Sequence, residues 1–276
     1  MAGVSLSAEV MGNGPRTVMA HGFTQTCRVW GSMDSILATD HELMLVDMPG
    51  HGRSGHVLAD LTEGAHLLGA LGGNAAYLGY SMGARFCLHL ALTQPELVSS
   101  LVLISGTAGI EDPDARAARR VQDEGLADQL DPLLPGDTSG GDASGVGGDS
   151  SGGGQARLDS FLRRWLDNPL LSGVTTEADG FAERRRNTGP GLASSLRLAG
   201  TGTQFPLWAQ LNRLTMPVLI LTGEHDDKFT RLGRRMAESI GENATIVVIA
   251  GVGHAPHLQQ PALVAEKISA HLGSGR

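Results

Sequence analysis

Three short stretches carry side chains that could do chemistry together. The first is Gly79-Tyr80-Ser81-Met82-Gly83, which follows the apolar run Ala75-Ala76-Tyr77-Leu78 and precedes a segment rich in Ala, Leu and Met. Two glycines flanking a serine between a strand and a helix describe a turn too tight for side chains at its edges, with the Ser81 hydroxyl held above the sheet. The helix that begins there points its unpaired N–H groups and positive dipole end at the reaction space. The second stretch is Glu224-His225-Asp226-Asp227-Lys228-Phe229 and the third is Gly251-Val252-Gly253-His254. Together they offer a nucleophile or base (Ser81), a proton acceptor (His254) and an acid that orients it (Asp226, with Asp227 as a neighbour competing for the role). Each has a plainer reading as well: Asp226 could cap the helix that follows it, and His254 could be a loop hydrogen-bonder.

Two further features bear on such a site. His21-Gly22-Phe23 follows the strand at 16–20, and Gly22 lets the backbone approach a ligand closely. The Phe23 and Met82 N–H groups are therefore expected to form an oxyanion hole, with the His21 side chain bracing its own loop. Arginine is the second feature. Arg85 lies at i+4 from Ser81, on the same face of a helix that is normally buried, where a charge wants an anionic partner. Arg116, Arg119 and Arg120 form one further cluster and Arg184, Arg185 and Arg186 another. Arginine grips carboxylates with a planar fork, although most of these six read as solvated helix faces.

The elements that must position these groups follow a strand–helix rhythm. Strands are expected at 5–11, 16–20, 43–47, 75–80, 98–105, 218–223 and 246–250. Helices are expected around 29–37, 58–71, after Ser81, at 230–240 and after Pro261. Between 106 and 207 the rhythm stops, and helices, including one at 114–130, replace it. The predicted organisation is an α/β core at 1–105 and 208–276, with a mostly parallel, doubly wound sheet and an inserted helical cap at 106–207. Within the cap, 136–154 is dominated by Gly, Ser and Asp, and it reads as a flexible loop rather than a phosphate cradle, since no Lys-Ser/Thr follows. The order serine, then acid, then histidine at successive strand ends is that of an α/β-hydrolase.

The composition narrows the function. A formal net charge of −8 over 276 residues leaves no broad basic surface for nucleic acid. No stretch approaches a membrane span, and the first residues lack a charged region followed by an apolar run, so a cytoplasmic protein is expected. Cys27 and Cys87 are too few for a disulfide framework and sit in no nucleophile motif. His51, in Met48-Pro49-Gly50-His51-Gly52, has no partner at metal spacing.

Several segments together resemble the 2-succinyl-6-hydroxy-2,4-cyclohexadiene-1-carboxylate (SHCHC) synthases of menaquinone biosynthesis. They are Gly79–Arg85, Gly109-Ile110-Glu111-Asp112 with Arg116 and Arg119, Phe161–Pro169 with Trp165, Gly200–Trp208, and Gly223–Phe229. The resemblance covers nearly the whole chain apart from 136–154, with Ala84 standing where many members have Gly. It implies a triad of Ser81, Asp226 and His254. It also implies carboxylate binding by Arg85, Arg119 and Arg184 (or its neighbours Arg185 and Arg186), and a pocket lined by Tyr80 and Trp165. The implied reaction is a lyase step that eliminates pyruvate from a multi-carboxylate cyclohexene. Ser81, activated by His254, would remove the proton, with no metal or organic cofactor. The alternative is a serine carboxylester or carbon–carbon bond hydrolase acting on an anionic small molecule.

Overall fold

The computed structural model describes residues 4–131 and 153–273. Seven strands form one sheet: β1 (Ser7–Met11), β2 (Arg16–Ala20), β3 (Glu42–Asp47), β4 (Ala75–Tyr80), β5 (Val98–Ile104), β6 (Val218–Gly223) and β7 (Ala244–Ile249), in the spatial order β1-β3-β2-β4-β5-β6-β7. Only β1 runs antiparallel to its neighbour. β4 and β6 are buried at every position, as strands covered on both faces must be.

The alternation of side chains along each strand divides the core in two. Val18, Tyr77, Leu101, Leu103 and Ile220 pack on one side of the sheet with the helices α2 (Leu61–Gly72) and α3 (Met82–Thr93). Met19, Leu78, Val102, Ile104 and Leu221 pack on the other side with α1 (Met33–Leu37) and the closing helices α9 (Pro256–Gln259) and α10 (Pro261–Gly273). Helices on both faces of a mostly parallel sheet make the expected doubly wound arrangement.

Between β5 and β6 lie α4 (Pro113–Leu130), α5 (Gly153–Leu166), α6 (Phe181–Arg184) and α7 (Gly189–Ala199). They gather a third apolar cluster, in which Leu130, Leu158, Phe161, Leu162 and Leu192 are each no more than 3 % exposed. The helix after β6, α8, spans Asp227–Ile240.

Strand ends move by one or two residues and α2 begins at Leu61 rather than 58; three other shifts have local causes. The helix expected at 29–37 begins only at Met33, because Gly31 takes a left-handed φ of 65° that a helix cannot contain. The helix expected at 230–240 starts three residues earlier, because the Asp226 side chain accepts from the Phe229 N–H and caps it. Of the Gly/Ser-rich stretch, 136–152 lies outside the described residues, while Gly153 and Gly154 already belong to α5.

Candidate active site

The elbow after β4 is built by close backbone approach. A Cβ on Gly79 would lie 2.5 Å from the Ala84 backbone, and one on Gly83 would collide with the Ala20 carbonyl oxygen. Ser81 takes φ 50° and ψ −103°, a conformation rare for a residue with a side chain, and its N–H donates to the Ile104 carbonyl at 2.8 Å. The strained turn puts the hydroxyl at the N-terminus of α3.

His254, from the loop after β7, meets that hydroxyl with Nε2 at 3.1 Å from Ser81 Oγ. Its Nδ1 lies 2.6 Å from Asp226 Oδ2, with His254 and Asp226 only 3 % and 5 % exposed. The acid fixes the tautomer. Nδ1–H donates to the carboxylate, so Nε2 carries the lone pair that can take the serine proton. Asp227 is exposed and makes no such contact. Phe229 lies tilted against the His254 ring at 4.4 Å, and Tyr80 borders it at 5.6 Å.

The loop after β2 lies against the same elbow. Gly22 is required there, since a Cβ would sit 2.6 Å from the Tyr80 ring. Two buried histidines hold the loop. His21 Nε2 accepts from the Met48 N–H at 3.1 Å, so its Nδ1–H donates to the Gly22 carbonyl at 2.8 Å. His51 Nε2 accepts from the Thr24 N–H at 3.3 Å, and its Nδ1–H donates to the Pro49 carbonyl at 2.9 Å. Burial pushes their pKa values down to about 4 and about 3, so both stay neutral. The braced loop leaves the Phe23 amide, like that of Met82, donating to no other group among the described residues. Phe23 and Met82 both line the cavity at Ser81.

That cavity, of about 160 Å³, gathers cations. Arg85 is 6 % exposed and has no ion-pair partner among the described residues, and its Nη1 is buried without a hydrogen bond. Burial, and then the charge of Arg119, pull its pKa down to about 10. Arg119 pairs through Nε with Asp123 Oδ1 at 2.7 Å. Arg184, 2 % exposed, donates from Nε to the Asp179 carbonyl at 2.6 Å and from Nη1 to the Thr24 hydroxyl at 2.5 Å. Both of its hydrogen-bond partners are neutral oxygens, with the charge of Asp179 nearby. Burial brings its pKa to about 10 as well. Arg185 and Arg186 turn outward to Asp159 and Glu183, and Arg116 turns to the carbonyls of Ile110 and Glu111. Trp165 closes one wall, edge-on to Phe23 at 5.0 Å. Sequence reasoning passed over Asp123, Asn168, Ser195 and Thr201, which also line the cavity. Only Asp123 had a signal, its i+4 spacing from Arg119.

A family model described as the alpha/beta hydrolase family matches residues 17–267. The chain belongs to the α/β-hydrolase family. This α/β-hydrolase is 31% identical over 271 residues to a Bacillus subtilis (strain 168) protein that carries, provisionally, the name 2-succinyl-6-hydroxy-2,4-cyclohexadiene-1-carboxylate synthase, across 93% of this chain and 90% of that one. A Salmonella arizonae protein named as the same synthase is 27% identical over 263 residues, with 92% of each chain covered. Among solved structures, that of MenH from S. aureus superposes with a TM-score of 0.81 at 24% identity, over 97% of this chain and 98% of that one. The α/β-hydrolase is thus an enzyme whose named relatives are 2-succinyl-6-hydroxy-2,4-cyclohexadiene-1-carboxylate synthases, the group to which its sequence motifs pointed. Among its described residues no helix is long and apolar enough to cross a membrane.

Proposed function

We propose that this enzyme is an SHCHC synthase, a lyase of menaquinone biosynthesis that eliminates pyruvate from a cyclohexene carrying several carboxylates. The observation that carries the reading is a buried, unpaired guanidinium beside a serine–histidine–aspartate array. A charge such as that of Arg85 is costly to keep without a counter-ion, and a substrate carboxylate would supply one. Arg119 and Arg184 add donors on the cavity walls, and Tyr80 and Trp165 supply apolar surface for the ring.

In this reading His254 Nε2 accepts the Ser81 proton, and Ser81 Oγ removes a ring C–H proton activated by the neighbouring succinyl carbonyl. The electron pair moves into the ring as a new double bond, and the C–O bond to the three-carbon side chain breaks, releasing pyruvate in its enolate form. The proton is returned through His254. The Phe23 and Met82 amides would hold the negative charge that develops on the carbonyl oxygen. Every group is present in the chain, so the step asks for no metal or organic cofactor. Helices α4–α7 would act as a cap that shields the cavity. The two buried free thiols, Cys27 and Cys87, fit a reducing cytoplasm.

The same array could instead attack an ester or a carbon–carbon bond of an anionic small molecule with Ser81 as nucleophile; three arginines around one cavity suit several carboxylates better than a single anionic group, which favours the lyase. The test is to offer the purified enzyme the SHCHC precursor beside a neutral nitrophenyl ester. We expect SHCHC and pyruvate in equal amounts and a far higher kcat/KM than for the ester. Efficient ester cleavage with an untouched precursor would refute the reading.

A further inference from the structure

Asp123 is a negative charge in the wall of a cavity that otherwise collects positive ones. It is 1 % exposed and stands on α4 one turn after Arg119. Its Oδ1 accepts from Arg119 Nε at 2.7 Å and its Oδ2 from the Gly202 N–H at 2.9 Å. In a pocket for anions such a charge works against the ligand by simple Coulomb repulsion, so its placement calls for a different reason.

The surroundings are shaped around it. A Cβ on Gly200 would lie 2.6 Å from Asp123 Oδ2, and one on Gly202 would run into the Arg120 backbone. The segment 200–202 and α4 therefore pack together with the carboxylate fixed between them. Asp123 engages Arg119 only at Nε. The Nη1–Nη2 edge of the same guanidinium has no partner among the described residues, and the Arg119 side chain is 33% exposed where that of Asp123 is 2%. Arg85 lies close enough for the charges of both Arg119 and Asp123 to act on it, and its own Nη1 is unpaired.

We propose that Asp123 is a positioning residue that holds the Arg119 guanidinium so that its Nη1–Nη2 edge joins Arg85 in gripping one substrate carboxylate. The inference rests on the anionic substrate proposed above. A planar fork grips a carboxylate bidentately only when its orientation is set, and a flexible four-bond side chain does not set it unaided.

The two physical roles of Asp123 have opposite signs in Asp123→Asn. Loss of a repelling charge alone would tighten the anion and lower KM, whereas loss of the strut would loosen it. We expect KM for the SHCHC precursor to rise about tenfold, with kcat falling much less, and the change to vanish when Asp123→Asn is added to Arg119→Ala. Arg119→Lys keeps the charge but not the fork, and it should raise KM by a similar factor; it serves alone if Asp123→Asn does not fold. A lower KM in Asp123→Asn, an unchanged KM in Arg119→Lys, or an equal loss on the precursor and a neutral ester would overturn the proposal. Arg85→Ala separates the levels. If it raises KM while Arg119→Ala does not, the strut is wrong and the anionic substrate stands. If neither changes KM, the substrate reading falls with it.

Discussion

Asp226 divides its carboxylate between two structures: Oδ2 holds His254 Nδ1 at 2.6 Å, while Oδ1 caps helix α8 by accepting from the Phe229 N–H at 3.2 Å. The two roles can be separated. In Asp226→Asn the amide oxygen can keep the cap while the NH₂ group faces His254, which turns the imidazole to the wrong tautomer. We expect turnover to fall by about three orders of magnitude or more with a melting temperature close to that of the wild type, and Asp227→Asn to be nearly silent. Circular-dichroism melts beside steady-state kinetics check this. A cold-shifted melt accompanying the lost turnover would mean that the residue matters through the cap.

Arg85 sets stability against binding. Its guanidinium is buried without a carboxylate, so Arg85→Met, which keeps the volume, should stabilise the ligand-free protein by about 1–3 kcal/mol. The same change should raise KM for an anionic substrate by at least tenfold, through the loss of a charge-assisted contact. Urea unfolding gives the first quantity and initial rates the second. A destabilised Arg85→Met with an unaltered KM would make Arg85 a structural residue.

Four buried histidines set a pH dependence of stability, among them His89, whose pKa burial lowers to about 4. Burial lowers the pKa of His21 to about 4, of His51 to about 3 and of His257 to about 3, so each is neutral in the folded chain. In the unfolded chain they charge near pH 6.5. Below that pH the unfolded state binds protons that the folded state refuses, so stability falls as the pH drops from about 6.5 toward 4. Each histidine contributes up to about 1.4 kcal/mol per pH unit in that window. Melting temperatures at pH 7.5, 6 and 5 should decline in that order. His257→Phe, which keeps a ring against Tyr80 and Trp30, should flatten the decline. A flat profile in the wild type would contradict the neutral assignment.

Much of this arrangement can be read in the sequence because the relevant signals are local. Ser81, Asp226 and His254 each follow an apolar strand, and parallel strands deliver their ends to one edge, so order along the chain becomes proximity in space. Arg85 was visible for the same reason, as an i+4 neighbour on a helix that must be buried. The remainder depends on contacts between distant segments. Nothing local separates Arg184 from Arg185 and Arg186: their directions follow from a four-residue helix entered through Gly180 at φ 67°, packed on Val29. Asp123 offers the sequence only its i+4 spacing from Arg119; its burial depends on the distant Gly200 and Gly202 packing against α4. Gly31 hid a break in the first helix, because a glycine inside an otherwise helical pattern does not announce its φ.

In the proposed reaction Ser81 performs an elimination on an anionic substrate. The most direct measurement is the rate of pyruvate release from the SHCHC precursor by the wild-type enzyme and by Ser81→Ala. We expect pyruvate and SHCHC in a one-to-one ratio from the wild type, and a rate at least about a thousandfold lower from a Ser81→Ala protein with a native melting profile. Pyruvate release at a comparable rate by folded Ser81→Ala, or none by the wild type, would contradict it.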